Sequence, residues 1–240
     1  QHRFGVEQRL SLMKKSSDRN SVPHQLIMTA TPIPRTLAMT AYGDLDASII
    51  DELPKGRGGI ETIIVPEEKR AQVMEKIIKE CARGRQSYWV CPLIEESEEL
   101  NFQAAESTYV LLQETLQQLN IGLVHGKLSS AKKIKAMENF KNGNTHVLVA
   151  TTVIEVGVDV ANSSVMVIEN AERLGLTQLH QLRGRIGRGK HKSLCILIYK
   201  KPLSSIAKER LAAIRATNDG FVIAEKDLQL RGPGELLGTR

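Results

Sequence analysis

The segment QLHQLRGRIGRGKHK, Gln178 to Lys192, gathers Arg183, Arg185, Arg188, Lys190 and Lys192 within a stretch that holds no acid between Glu172 and Glu209. Cations at that density attract phosphate. Arg185 and Arg188 stand three residues apart, the spacing that puts both on one face of a helix, and each planar guanidinium can hold two oxygens of a phosphate. Gly184 and Gly187 beside them would let a ligand approach the backbone closely. The chemistry this suits is stabilisation of charge on a transferring γ-phosphoryl group, where a positioned arginine raises the rate by orders of magnitude. A solvated basic face would carry the same charges, and it is the interleaved glycines that set this segment apart from a plain run of cations.

Other reactive residue types form weaker patterns. His125 and His180 have no second His or Cys at ligand spacing, so no metal is assigned. Glu95, Glu96, Glu98 and Glu99 read as a solvated loop before a helix. Cys81, Cys91 and Cys195 are odd in number and far apart, which suits reduced thiols rather than a disulfide framework. Tyr88 and Trp89 sit in an apolar strand and are expected to be buried, and an aromatic content of 4% favours a grip on a polyanion's backbone over base stacking. Asp159, after VGV, could cap a helix, form a turn or hold a ribose.

The elements that must position these residues follow an α/β alternation. IETIIV, QSYWVCPLI, IGLVHG, THVLVATT, SSVMVIEN and SLCILIY read as strands. Between them helical patterns run from Glu67 to about Arg83, from Phe102 to Leu119, from Ser129 to about Asn142 and around Thr177 to Ile186. Such alternation predicts a parallel, doubly wound sheet with helices on both faces and ligands at the carboxyl ends of strands. Ahead of it, LIMTAT (Leu26 to Thr31) reads as a short strand stopped by Pro32 and Pro34, and DELPKGRGG (Asp51 to Gly59) reads as a connector. The tail from Pro202 loses the strand pattern and becomes a helical appendage whose first part, KERLAAIRATND, reads as a surface helix.

Composition narrows the class. A chain of 240 residues, 41% hydrophobic and 25% charged, can bury a sizeable core, and its net charge of +6 suits a polyanionic partner without proving one. No apolar run approaches the ~20 residues that span a bilayer, and QHRFGVEQRL does not look like a signal peptide, so a cytoplasmic protein without a membrane partner is expected.

QLHQLRGRIGRG resembles motif VI of the superfamily 2 helicases, and further segments resemble other motifs of that superfamily in the same order. The resemblance implies an α/β, RecA-like sheet flanked by helices. It places Gln181, Arg185 and Arg188 at the γ-phosphate. LIMTATPIPRT resembles motif III, with Thr29, Ala30 and Thr31 linking nucleotide state to DNA grip. ATTVIEVGVDV resembles motif V, which implies Thr151 and Thr152 near the DNA backbone and Gly157 and Asp159 near the nucleotide. WVCPLI and LVHGKLS resemble motif IV and the segment after it, which implies a DNA phosphate close to His125 and Gly126.

TATPIPRT, LTQLHQLRGRIGR and DLQLRGPGELLG together resemble the RecG family and the transcription-repair coupling factors, and QHRFG and WVCPLIEES favour the former. Gln1 and His2 then correspond to the end of motif II. This resemblance implies an ATP- and magnesium-dependent helicase or translocase, monomeric, acting on branched double-stranded DNA such as stalled forks and Holliday junctions. The alternatives are a coupling-factor translocase, or a nucleic-acid-binding module without motor activity. Because the chain contains no GxxxxGK[ST] phosphate cradle, residues 1–50 are expected to be the trailing part of a first RecA-like domain. Residues 51–60 would then be a linker, 61–200 the second RecA-like domain and 201–240 a truncated translocation hairpin, and the chain by itself would not hydrolyse ATP.

Overall fold

The computed structural model describes residues 58–93, 98–151, 160–189 and 191–231, together with Leu26, Met28, Ser48, Ile50 and Glu52. The six expected sheet segments all form strands: β1 (Ile60–Pro66), β2 (Gln86–Val90), β3 (Ile121–Val124), β4 (Val147–Ala150), β5 (Ser163–Ile168) and β6 (Ser193–Tyr199). They make one parallel sheet in the order β1-β6-β5-β2-β4-β3. Helices α1 (Arg70–Ala82), α2 (Glu98–Thr115), α3 (Ser130–Lys141) and α4 (Leu176–Arg183) make the crossovers between strands. After β6 follow α5 (Ser205–Ala216) and α6 (Gly220–Arg231).

Side chains alternate across a pleated strand, so each central strand feeds two cores. Tyr88, Val90, Leu148, Met166, Ile168 and Leu197 face one cluster, which α3, α4, α5 and α6 close with Phe140, Leu179, Leu182, Ile214 and Ile223. Trp89, Val147, Val149, Val165 and Ile196 face the other, closed by Val73, Ile77 and Cys81 of α1 and by Ala105 and Leu112 of α2. Runs buried on both faces are why these strands read as continuous apolar stretches. Truncating a fully buried Leu here, Leu179 for example, is expected to cost about 2–5 kcal/mol.

Helix ends follow from local chemistry. Ser129 and Ser204 cap α3 and α5, their hydroxyls accepting from Lys132 N (3.4 Å) and Ala207 N (3.2 Å). The Gln178 side chain turns back to accept the Gly175 N–H at 3.1 Å at the start of α4.

Four expectations need correction. β2 stops at Val90 rather than running to Ile94, because Pro92 cannot serve a ladder. α2 spans Glu98–Thr115 rather than Phe102 to Leu119, so Glu98 and Glu99 lie in its first turn, where the helix dipole favours acids, and not in a loop. α5 is no free surface helix, since Ala207, Leu211 and Ile214 are buried against the sheet. Leu26 and Met28, the described part of the strand expected at 26–31, are exposed and lie in no strand, and among the described residues β1 forms the edge of the sheet without a further ladder partner.

Candidate nucleotide and nucleic-acid edges

The parallel sheet sorts the candidate residues onto two opposite edges. At the carboxyl edge four residues stand level on adjacent strands: Glu169, Cys91, Thr151 and His125, each directly after its strand. The level is set by backbone bonds, Glu169 N to Val90 O (3.0 Å), Cys91 N to Ala150 O (2.8 Å) and Thr151 N to Val124 O (3.2 Å). Thr151 and His125 are both buried, and among the described residues Thr151 Oγ1 and His125 Nδ1 have no hydrogen-bond partner. A buried polar atom without a partner is destabilising unless a ligand or water completes it. The two residues follow neighbouring strands, β4 and β3.

The His125 ring lies 5.3 Å from that of Phe102 and its Nε2 is 3.5 Å from Glu106. Burial pulls its pKa down, Lys133 and Lys127 push the same way and Glu106 opposes them. A Cβ on Gly126 would press on the Phe102 ring at 3.0 Å, and the Gly126 carbonyl accepts from Lys133 Nζ.

At the amino edge the chain leaves α4 and turns into β6 through Arg185, Ile186, Gly187 and Arg188. Gln181 is half-buried on α4, Arg185 is half-buried and Arg188 is exposed. The expectation that the two arginines share a helical face does not hold. α4 ends at Arg183, and Gly187 at φ +81° occupies the left-handed region that a helix cannot use. The glycines serve the protein's own backbone more than a ligand: a Cβ on Gly187 would stand 2.8 Å from Ile60 Cγ1, and one on Gly189 2.4 Å from the Ala161 carbonyl oxygen. The turn is therefore seated against the starts of β1 and β5, which holds Arg185 and Arg188 on a fixed loop.

Arg183 is the second correction. Counted among the phosphate-attracting cations, it is instead 2% exposed. Its Nη1 donates to Ile214 O of α5 and to Thr62 Oγ1 of β1 (3.3 Å), and its Nη2 lies 3.3 Å from His180 Nδ1. Burial draws the guanidinium's pKa down, with Cys195 opposing. Arg183 thus locks α4 to the appendage. Thr177 Oγ1 of α4 likewise donates to Asp227 Oδ2 of α6 (2.9 Å), and Arg210 Nη1 of α5 donates to Leu174 O just ahead of α4 (3.2 Å).

Gln1, His2, Thr29, Ala30, Thr31, Thr152, Gly157 and Asp159 lie outside the described residues, as does Lys190. Tyr88 and Trp89 are buried as expected. The three thiols are buried too, and desolvation pushes Cys81 up to about 11 and Cys91 and Cys195 up to about 12. Sequence reasoning missed Glu169. Its carboxylate, raised in pKa by burial against the opposing pull of Arg70 and Trp89, pairs with Arg70 and accepts from Trp89 Nε1 at 2.7 Å. An acid closing the apolar run SSVMVI was the available signal, but the partners are about 80 and 100 residues away and no local pattern names them.

One parallel sheet thus carries a basic turn at its amino edge and two unsatisfied buried polar atoms at its carboxyl edge. Residues 68–190 match the helicase conserved C-terminal domain, and the chain belongs to that family. It is 61% identical over 241 residues to the ATP-dependent DNA helicase RecG of Escherichia coli (strain K12), a match covering 100% of this chain and 35% of that protein. The structure superposes on RecG bound to a three-way DNA junction with a TM-score of 0.76 at 43% identity, over 98% of this chain and 30% of that one. Likeness to the Mycobacterium smegmatis helicase Lhr bound to ssDNA and AMP-PNP is one of fold alone: TM-score 0.53, 19% identity, 80% of this chain and 26% of that one. The chain spans about a third of the length of the curated relatives it matches.

Proposed function

We propose that this chain is the second RecA-like motor domain of a RecG-type, ATP-dependent DNA helicase that remodels branched double-stranded DNA in recombination and repair. The protein acts in the cytoplasm as a monomer. Residues 1–50 belong to a first motor domain, 51–60 link the two, 61–200 form the second domain and 201–240 the translocation hairpin. The observation that carries this reading is the division of labour across one sheet, with His125 and Thr151 at one edge and Arg185 and Arg188 at the other.

Arg185 and Arg188 suit the charge of a nucleotide's γ-phosphate: both are cationic on a loop braced by Gly187, and Arg188 is exposed. ATP with magnesium, held mainly by the first domain, supplies the phosphoryl group when bound. Within this chain Arg185 and Arg188 meet the charge that develops on it, and Gln181 orients beside them. Gly157 and Asp159 take the nucleoside side, and Gln1 and His2 close the site from the first domain. His125, Gly126, Thr151 and Thr152 hold the DNA backbone, while Thr29, Ala30 and Thr31 relay nucleotide state to that grip. Phosphate contacts of this kind position the protein without reading sequence.

DNA-dependent ATP turnover and fork unwinding by the full-length protein, measured beside Arg188→Ala, test the reading. Loss of turnover by a factor of about 10³ or more with DNA binding kept is expected. Unchanged turnover would refute the assignment of the arginine turn.

A further inference from the structure

Glu106 of α2 brings a carboxylate oxygen to 3.5 Å from His125 Nε2, while Nδ1 of the same ring has no hydrogen-bond partner among the described residues. The His125 residue is 3% exposed, and its ring lies beside that of Phe102 with centroids 5.3 Å apart. Phe102 stands four residues before Glu106, and residues four apart share a helical face. α2 therefore presents an aromatic ring that holds the imidazole in place and an acid that meets its edge.

A neutral imidazole carries one N–H and one bare lone pair. Against Glu106, whose carboxylate only accepts, the N–H belongs on Nε2, and Nδ1 is then an acceptor too. The oxygens of a DNA phosphate carry no proton either, so the neutral ring repels them. With a carboxylate at one nitrogen and a phosphate at the other, both nitrogens must donate, and the ring has to be an imidazolium. That holds whichever edge of the ring turns toward the strand.

The charged groups that face the ring among the described residues are Glu106 of α2, Lys127 of the β3–α3 loop and Lys133 of α3. Burial is the largest influence and favours the neutral form, the two lysines act in the same direction, and Glu106 opposes them. Lys133 Nζ also donates to the Gly126 carbonyl, and Lys127 Nζ lies 3.2 Å from Glu99 Oε1, again on α2. A phosphate would add a second anion beside the ring and tip this balance toward the imidazolium.

We propose that Glu106 is a positioning residue for the DNA grip: its carboxylate orients His125 and supports the imidazolium that donates to a backbone phosphate, so that docking of DNA takes up one proton from solvent. The proton adds to the ring nitrogen that faces the phosphate and is released when the strand leaves. This rests on the reading of His125 as a contact to the DNA backbone.

The test is the affinity of the full-length protein for a fluorescein-labelled three-way DNA junction, measured by anisotropy from pH 6 to pH 8.5 at constant ionic strength. Wild-type affinity is expected to fall as the pH rises, by at most about tenfold per pH unit, the limit for one linked proton. Glu106→Gln should move that fall to lower pH by about one unit, which weakens binding about tenfold within the falling range. On charge alone, loss of a carboxylate near a polyanion would tighten binding, so the sign of the change is diagnostic. His125→Asn, whose amide donates at every pH, should flatten the profile, and in that background Glu106→Gln should no longer weaken the complex. Glu106 is exposed, and unchanged thermal midpoints show that the variants are folded. Equal or tighter binding by Glu106→Gln with the wild-type pH profile, while His125→Ala still weakens the complex, would overturn the proposal and leave the reading of His125 standing. Wild-type affinity in His125→Ala would remove that reading and the proposal with it.

Discussion

The guanidinium of Arg183 donates to the carbonyl oxygen of Ile214, 31 residues further along the chain, while Arg185, two positions on, sits in the turn at the sheet's amino edge. One helix end therefore carries a structural arginine and a candidate catalytic one almost side by side. Arg183→Ala removes a buried charge-assisted bond and leaves the Ile214 carbonyl and Thr62 hydroxyl unsatisfied. A loss of about 3 kcal/mol is expected from such a change. Arg183→Lys should recover little of it, since one ammonium cannot reproduce a planar fork that reaches both partners. Urea melts of the two variants measure this, and a loss below about 1 kcal/mol for the alanine would contradict the locking role.

Thr177 and Asp227 fasten the start of α4 to α6. A double-mutant cycle with Thr177→Val and Asp227→Asn should return a coupling energy of about 0.5–1.5 kcal/mol. Additive single effects would mean that the hairpin is held by apolar contacts such as Ile223 instead.

Gly187→Ala faces two obstacles, the positive φ and the 2.8 Å approach to Ile60 Cγ1. A destabilisation of about 1–3 kcal/mol is expected, together with lost ATP turnover in the full-length protein as the arginine turn shifts. Adding Ile60→Ala relieves the contact but not the backbone conformation, so it should restore only part of the stability. Full restoration would show that φ contributes nothing.

His125 gives a pH signature. Burial lowers its folded pKa below the unfolded value near 6.5, so the unfolded chain takes up the proton first. Its contribution to stability is complete above that unfolded value and declines as the pH falls through it. Thermal midpoints between pH 7 and pH 5 should therefore drop more steeply for the wild type than for His125→Asn, and parallel curves would rule out titration at this site. A phosphate-bearing DNA strand at Nδ1 would favour the imidazolium and flatten the difference.

Most of the sheet was readable because strand periodicity is local. SLCILIY and IETIIV became strands over the expected residues or within one of them, and the buried Trp89 followed from its apolar run. The arginine turn was readable as a phosphate-seeking segment but not as a shape. Spacing of three suggested a helical face, whereas the steric demand of Ile60 and Ala161 on the glycines comes from residues distant in sequence, with β5 and α4 lying between Ala161 and Gly189. Glu169 was invisible for the same reason, as its two partners come from α1 and β2.

Residue order alone determined the alternation of strands and helices, the surplus of cations around Arg185 and Arg188, and the motif order that marks a helicase domain, because periodicity and composition are properties of neighbouring residues. Tertiary structure decided which of those cations are buried and which are exposed. Arg183 is withdrawn into the core and Arg188 presented at the surface, although both lie in one stretch of sequence, because burial and hydrogen-bond partners are set by α5 and β1 and not by adjacent residues. The fold likewise decided that the nucleic-acid candidates His125 and Thr151 stand level at one edge and the arginine turn at the other, a separation that follows from the parallel direction of all six strands.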